Sequence, residues 1–273
     1  MATMQLFMHI PKTAGTSLRG IIDSQYGREN VATYYNQNSN QLLNNLDAHR
    51  KVKKIKALIG HFHFGAHRVL TGEYRNICFL RNPIQLVLST YNEMCKGAGP
   101  IPIDKNELDR LSLGQVLDKY GDHFRDIQTS FLLGYSPDTG INSQQLKQAM
   151  RNMEEEFAFI GIVERFNESI LILGRQLKWK PFLYQFKNVG RRNTPPSPGI
   201  REKILPLVKN DQVIYDWAIE LYEKRRAQEP NSLQDALIEF EREINAIASC
   251  EHFPTQLAEK KSQLLSVENY FAS

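Results

Sequence analysis

The sequence predicts an α/β fold, with a parallel sheet flanked by helices on both faces and a helical C-terminal extension. Short apolar runs near residues 5–9, 31–35, 57–61, 75–80 and 157–163 read as buried strands. Amphipathic stretches near 16–26, 40–50, 83–95 and 167–178 read as helices among them. Strands that alternate with helices build parallel sheets, because a parallel neighbour is reached only through a crossover. Two strand ends also carry residues suited to an anion, and open parallel sheets bind ligands beyond those carboxyl ends. With 273 residues, 41% apolar and 23% charged, the chain is long enough for one sizeable core. The expected organisation is a main domain over 1–230 with a helical insertion at about 100–156. An extension over 231–273 would pack on it or form an oligomer contact.

The first strand end is the most informative. Gln5-Leu6-Phe7-Met8 is followed by His9-Ile10-Pro11-Lys12-Thr13-Ala14-Gly15-Thr16-Ser17, and Leu18, Ile21 and Ile22 then mark the inward face of a helix. Backbone N–H groups of such a turn and of the first helical turn converge, and the helix dipole favours negative charge there. Lys12 adds a full charge, and Thr13, Thr16 and Ser17 add hydroxyl donors. This is a phosphate-type site. It is not a Walker loop, which places its lysine after the second glycine, because Lys12 precedes Gly15. The plain alternative is a strand-turn-helix in which Thr13 or Thr16 merely caps the helix.

The second strand end follows Tyr74–Leu80. Arg81 stands at its carboxyl end, Asn82-Pro83 open a helix that runs through Tyr91, and Ser89 lies eight residues beyond Arg81. Cys95 to Asn106 holds two glycines and two prolines and reads as a loop. Helices near 107–120, 122–133 and 143–155 form the insertion, which holds Gln128, Tyr135 and Asp138. After a Pro195–Pro198 turn come helices near 199–208 and 211–228. An amphipathic run from Leu233 to Ile247 then follows, opened by Ser232-x-x-Asp235. Trp217, Tyr222 and Leu233 are expected to pack on the sheet domain. His252 to Ser273 is read as a docking helix, a dimer contact or a loose tail.

Pro11-Lys12-Thr13-Ala14-Gly15-Thr16-Ser17, followed by Phe79-Leu80-Arg81-Asn82-Pro83, Ser89 and Tyr91, resembles the two nucleotide signatures of a known family. These are the sulfotransferases that use 3′-phosphoadenosine-5′-phosphosulfate (PAPS). The similarity is to the carbohydrate branch that includes heparan sulfate 2-O- and 6-O-sulfotransferases. It covers roughly residues 5 to 225, with Phe159 to Ser169 resembling the late strand and its helix. In relatives, segments in the insertion help shape the acceptor pocket, so the resemblance makes Gln128, Tyr135 and Asp138 plausible acceptor contacts. The resemblance implies a P-loop nucleotide-kinase-like sulfotransferase fold. It also implies that Lys12, Thr13, Ala14, Gly15, Thr16 and Ser17 hold the 5′-phosphosulfate, with Lys12 catalytic, and that Arg81 and Ser89 hold the 3′-phosphate. Arg191 and Arg192 fall in a stretch, Asn188 to Asn193, that resembles the loop closing over the 3′-phosphate. They read equally as a solvated basic turn. Asn82 and Leu86 depart from the family, which usually has aspartate and often arginine there.

Sulfuryl transfer to a hydroxyl needs a base, and histidine serves near neutral pH. Ala57-Leu58-Ile59-Gly60 runs into His61, with His63 and His67 beyond. Gly60-His61-x-x-Phe64-Gly65 resembles the family segment whose histidine is the base, which implies His61, with His63 as the fallback. His67 is expected to be a packed or surface group. The three imidazoles could instead hold zinc, but no cysteine is near and no acidic residue lies within the cluster, so no metal is predicted.

No run of eighteen apolar residues exists, and the first strand begins too early to leave room for a signal peptide. Cys78, Cys95 and Cys250 lack metal spacing and fit a reducing compartment. A cytoplasmic bacterial enzyme or a trimmed soluble catalytic domain is therefore expected. The net charge of +4 suits an anionic donor, and no nucleic-acid recognition module is present. The basic run Arg50 to Lys56 reads as a solvated helix end. The expected partners are PAPS and a hydroxyl-bearing acceptor, glycan or small molecule, with a homodimer left open. The alternatives are a nucleotide-dependent kinase, which would need a Walker loop and an acidic strand end, and a non-catalytic nucleotide-binding protein.

Overall fold

Among the described residues, five strands form one sheet: β1 (Met4–Met8), β2 (Val31–Tyr34), β3 (Ala57–Gly60), β4 (Tyr74–Leu80) and β5 (Phe157–Ile162). Their spatial order is β2-β3-β1-β4-β5, and every pairing is parallel. The structure is a computed structural model that describes residues 3–35, 55–70, 72–97, 103–137, 139–184, 195–248 and 264–273. All residues of β1 and β3 are buried, so both sheet faces are covered, as parallel sheets require. Met8 pairs with both Gly60 and Cys78. That register brings His9, His61 and Arg81 to the same carboxyl edge.

The helices, in chain order, begin with α1 (Gly15–Tyr26), α2 (Pro83–Cys95), α3 (Lys105–Leu108), α4 (Leu113–Tyr120), α5 (Ile127–Leu133) and α6 (Ser143–Glu156). They continue with α7 (Phe166–Gln176), α8 (Pro198–Ile204), α9 (Lys209–Arg226), α10 (Ser232–Ala248) and α11 (Leu265–Ala272). Leu18, Ile21 and Ile22 of α1 are buried, as their spacing predicts. The helix expected near 40–50 and most of the basic run that follows it lie outside the described residues. Among the described residues no helix is long and apolar enough to cross a membrane.

Two helices expected in the insertion are each divided. Ser112 opens α4 with a reciprocal cap: its hydroxyl accepts from the Gln115 N–H, and the Gln115 side chain accepts from the Ser112 N–H. Satisfying those donors starts a new helix there instead of continuing α3. The second division falls at Asp126, whose φ of 43° ends the preceding turn before α5. The insertion has its own apolar cluster, in which Leu108, Val116, Leu117 and Phe124 meet Ile84, Val87 and Met94 of α2 and Ile204 and Val208. The helix that follows Arg81 is thus packed against the insertion and the end of α8.

At the C-terminal end, Leu233, Ala236, Phe240, Ile244 and Ile247 of α10 are buried. Tyr222 is buried as expected, and Trp217 packs half-buried against the same core. α11 docks on α10 and α7 of its own chain with Val267 and Tyr270 buried. The Tyr270 hydroxyl donates to Glu229 at 2.6 Å. The described part of the tail is thus a helix docked on its own chain.

Candidate active site

The turn between β1 and α1 is held in a costly conformation. Lys12 (φ 68°) and Ala14 (φ 64°) both lie in the left-handed region, where a non-glycine residue costs of order 1 kcal/mol. Thr13 braces them: its N–H and its hydroxyl donate to the Ile10 carbonyl at 3.3 and 2.8 Å. Thr13 is only 1% exposed, so its hydroxyl supports the loop from within. Ala14 is the N-cap of α1, and no side chain caps the helix. The reading of Thr13 or Thr16 as a mere cap therefore fails, and the first-turn donors remain open to an anion. Thr16 is exposed and Ser17 buried.

Lys12 and Arg81 are brought together. The Lys12 ammonium lies 3.1 Å from the Glu93 carboxylate on α2, which Lys96 also approaches at 3.6 Å. Burial alone would raise the Glu93 carboxyl, but the two lysines, Lys12 foremost, hold it below the usual carboxylate range. Arg81 Nη1 donates to the Lys12 carbonyl at 3.1 Å, so the end of β4 touches the loop after β1. Arg81 Nε is buried without a partner among the described residues. Burial lowers the guanidinium pKa, with Glu164 opposing. Ser89 is half-buried on α2, one turn before Glu93. Asn82 caps α2 by accepting from the Gln85 N–H at 3.2 Å, so the departure from aspartate keeps the local bond. Leu86 packs in the core at 1% exposure.

His61 follows a glycine that cannot be replaced without movement. A Cβ on Gly60 would come within 1.9 Å of the Tyr34 carbonyl oxygen, the group that accepts from the His61 N–H at 2.7 Å. His61 Nδ1 lies 2.7 Å from the His9 carbonyl. A carbonyl can only accept, so Nδ1 carries the proton and the neutral ring keeps its lone pair on Nε2. Burial lowers the His61 pKa below the usual 6.5, with the bond to His9 opposing. The ring is flanked by His9 at 4.6 Å and, edge-on, by Tyr35 at 4.9 Å between centroids.

His9 is the residue that sequence reasoning passed over. Both of its ring nitrogens are buried without a partner among the described residues. Burial, then His61 and Lys12, push its pKa down to about 3. The folded state therefore refuses a proton that the unfolded chain accepts near 6.5, so stability is full above 6.5 and declines as pH falls toward 3. Urea midpoints measured from pH 7 to pH 4 are expected to fall steadily, and less steeply in His9→Gln. An equal slope in the variant would reject His9 as the main contributor.

His63 stacks on Phe131 at 4.3 Å, whereas His67, 4% exposed, turns to Tyr74 and Asn76. The three imidazoles do not converge, and among the described residues no group of His, Cys, Asp or Glu is arranged for a metal. Gln128 is 0% exposed and bonded to the Arg81 backbone, which corrects the expectation that it touches an acceptor. Tyr135 is 50% exposed and lines a polar cavity with Arg68, Gln145 and Arg151. Asp138, Arg191 and Arg192 lie outside the described residues.

The description "Sulfotransferase family" belongs to the family profile that matches residues 5–218, from β1 into α9. The chain belongs to the sulfotransferase family. Among solved structures it is similar to a sulfotransferase from Alicyclobacillus acidocaldarius, with 13% identity and a TM-score of 0.43 over 80% of this chain and 99% of that one. No curated protein matches. Within this sulfotransferase, His9, Tyr35 and Asp211 are the site-region residues that the motifs did not single out. His9 and Tyr35 each stand directly after a strand, a position that could have flagged them.

Proposed function

We propose that this sulfotransferase takes its sulfuryl group from PAPS and delivers it to a hydroxyl of a carbohydrate or small natural-product alcohol. One observation carries the proposal: Arg81 rests on the Lys12 carbonyl with a buried, unmatched Nε, beside an uncapped helix N-terminus. A guanidinium with a spare donor fits a phosphate, and the open turn fits a second anionic group. A nucleotide charged at both its 5′ and 3′ ends suits that pair.

In this reading Lys12, Thr13, Ala14, Gly15, Thr16 and Ser17 form the cradle for the 5′-phosphosulfate, while Arg81 and Ser89 take the 3′-phosphate. Arg191 and Arg192 are proposed for its far side on the resemblance alone. The bound donor supplies an electrophilic sulfur and a phosphate leaving group. His61 Nε2 accepts the proton of the acceptor hydroxyl as its oxygen bonds to sulfur and the bond from sulfur to the 5′-phosphate oxygen breaks. Lys12 and the turn N–H groups stabilise the charge that collects on that oxygen, and each such donor contributes ~3 kcal/mol. An anion in the cradle competes with Glu93 for Lys12.

Calorimetric titration with 3′-phosphoadenosine-5′-phosphate (PAP), beside ATP and in EDTA, tests the donor. Micromolar binding of the bisphosphate, weak binding of ATP and strongly weakened but measurable bisphosphate binding in Arg81→Ala are expected. No binding, or a preference for ATP once magnesium is restored, would overturn the reading in favour of a kinase.

A further inference from the structure

We propose that Gln128 is a positioning residue of the donor site, which holds Arg81 by its backbone and links it through α5 to the histidine segment. The inference rests on the donor reading above. The Arg81 N–H donates to Gln128 Oε1 at 2.8 Å, and Gln128 Nε2 donates to the Arg81 carbonyl at 2.8 Å. A side-chain amide thus pairs with a peptide as a neighbouring strand would. It does so just where the β4–β5 ladder ends, at the Leu80–Ile162 pair. Both backbone groups need partners there, and Gln128 supplies both.

Gln128 is itself anchored. Its N–H donates to Asp211 Oδ2 at 3.1 Å, while the Thr129 N–H and hydroxyl both donate to Asp211 Oδ1 at 2.7 Å. Asp126 does the converse, accepting from the N–H groups of Asn210 and Asp211 at 2.9 and 3.1 Å. The two helices α5 and α9 therefore cap each other with exchanged aspartates, and Asp126 adopts its φ of 43° in doing so. At the other end of α5 the Phe131 carbonyl accepts from the Phe64 N–H at 2.9 Å, and the Phe131 ring stacks on His63. One seven-residue helix thereby spans from the strand end that carries Arg81 to the segment that carries His61.

A packing amide would satisfy any backbone in reach. This one meets the single strand-end residue whose guanidinium faces the loop, so its loss should act on the 3′-phosphate and not on the rest of the nucleotide. Wild type, Gln128→Met, Arg81→Ala and the double variant are titrated with PAP and with adenosine 5′-phosphate, which lacks the 3′-phosphate. Gln128→Met is expected to weaken PAP about tenfold, the scale of one well-made hydrogen-bonded pair. Adenosine 5′-phosphate should change by less than about twofold, and the double variant should bind PAP no worse than Arg81→Ala alone. Exchange of the Arg81 amide should quicken in Gln128→Met while the amides of β1 keep their protection.

Equal weakening of both nucleotides in both backgrounds, or wild-type PAP affinity in Gln128→Met, would overturn the inference. Should Gln128→Met not fold, Gln128→Glu keeps the acceptor for the Arg81 N–H, loses the donor and is judged on the same comparisons. A wild type that ignores PAP, or binds it equally as Arg81→Ala, would instead overturn the donor reading and this inference with it.

Discussion

His61→Ala is expected to lower turnover by about a hundred- to ten-thousand-fold, the usual worth of a general base. PAP affinity should hardly change. The ring lies against His9 and Tyr35, and its only described polar bond runs to the His9 carbonyl, so its removal leaves the Lys12 and Arg81 contacts in place. Because Nδ1–H is spent on that carbonyl, Nε2 is the atom that can take a proton. The pKa is lowered by burial, so the neutral form persists below pH 6.5. Activity should thus be flat through neutrality and fall only in acid, with its inflection below 6.5. His61→Ala should abolish that inflection. If the variant kept full rate across the pH range while His63→Ala lost it, the base would be His63.

The parts of this site differ in how far the sequence reveals them, and the physical reason is distance along the chain. β1 and β3 are buried throughout because both sheet faces are covered, and apolar but for Gln5, so their runs stand out without any partner being known. Lys12 and Arg81 are legible as strand-end cations, each within its own segment. Their contact follows once parallel register places both strand ends at one edge. Ser112-x-x-Gln115 is a local capping signature, and it divides a helix that periodicity alone joins. Asp126 gives no such signal, because the N–H groups it caps lie 84 and 85 residues away. Gln128 misleads for the same reason. In sequence it is an amide in an insertion, a natural acceptor contact, and only the fold brings it to the Arg81 backbone 47 residues earlier. His9 is hidden differently. It sits inside the most conspicuous motif of the chain, but its packing partners His61 and Tyr35 come from other strand ends.

Gly15→Ala should cost both fold and function through one methyl group. A Cβ at Gly15 would stand 1.9 Å from Cε1 and Nε2 of His9 and 2.4 Å from its Cδ2, so either the imidazole or the start of α1 must move. His9 has little room to retreat into, since both ring nitrogens are buried and the ring abuts His61 and Tyr35. Overpacking of this kind costs about 1–3 kcal/mol, which in a domain of this size lowers Tm by roughly 2–12 °C. If α1 yields, its N–H donors leave the cradle and PAP binding weakens. If His9 yields, its carbonyl shifts and His61 loses the bond that fixes its tautomer, so turnover falls. Gly20, in the same helix, is the control: it is exposed, and a Cβ there meets nothing within 4 Å. Gly20→Ala should therefore raise stability by about 0.5–1 kcal/mol, the helical preference for alanine over glycine. Truncating the obstructing ring identifies the cause. His9→Ala combined with Gly15→Ala should recover much of the lost Tm relative to Gly15→Ala alone, because the clash is gone. Turnover should stay low, because His61 has then lost the imidazole packed against it. Equal Tm values for Gly15→Ala and Gly20→Ala would show that the His9 ring does not constrain the turn.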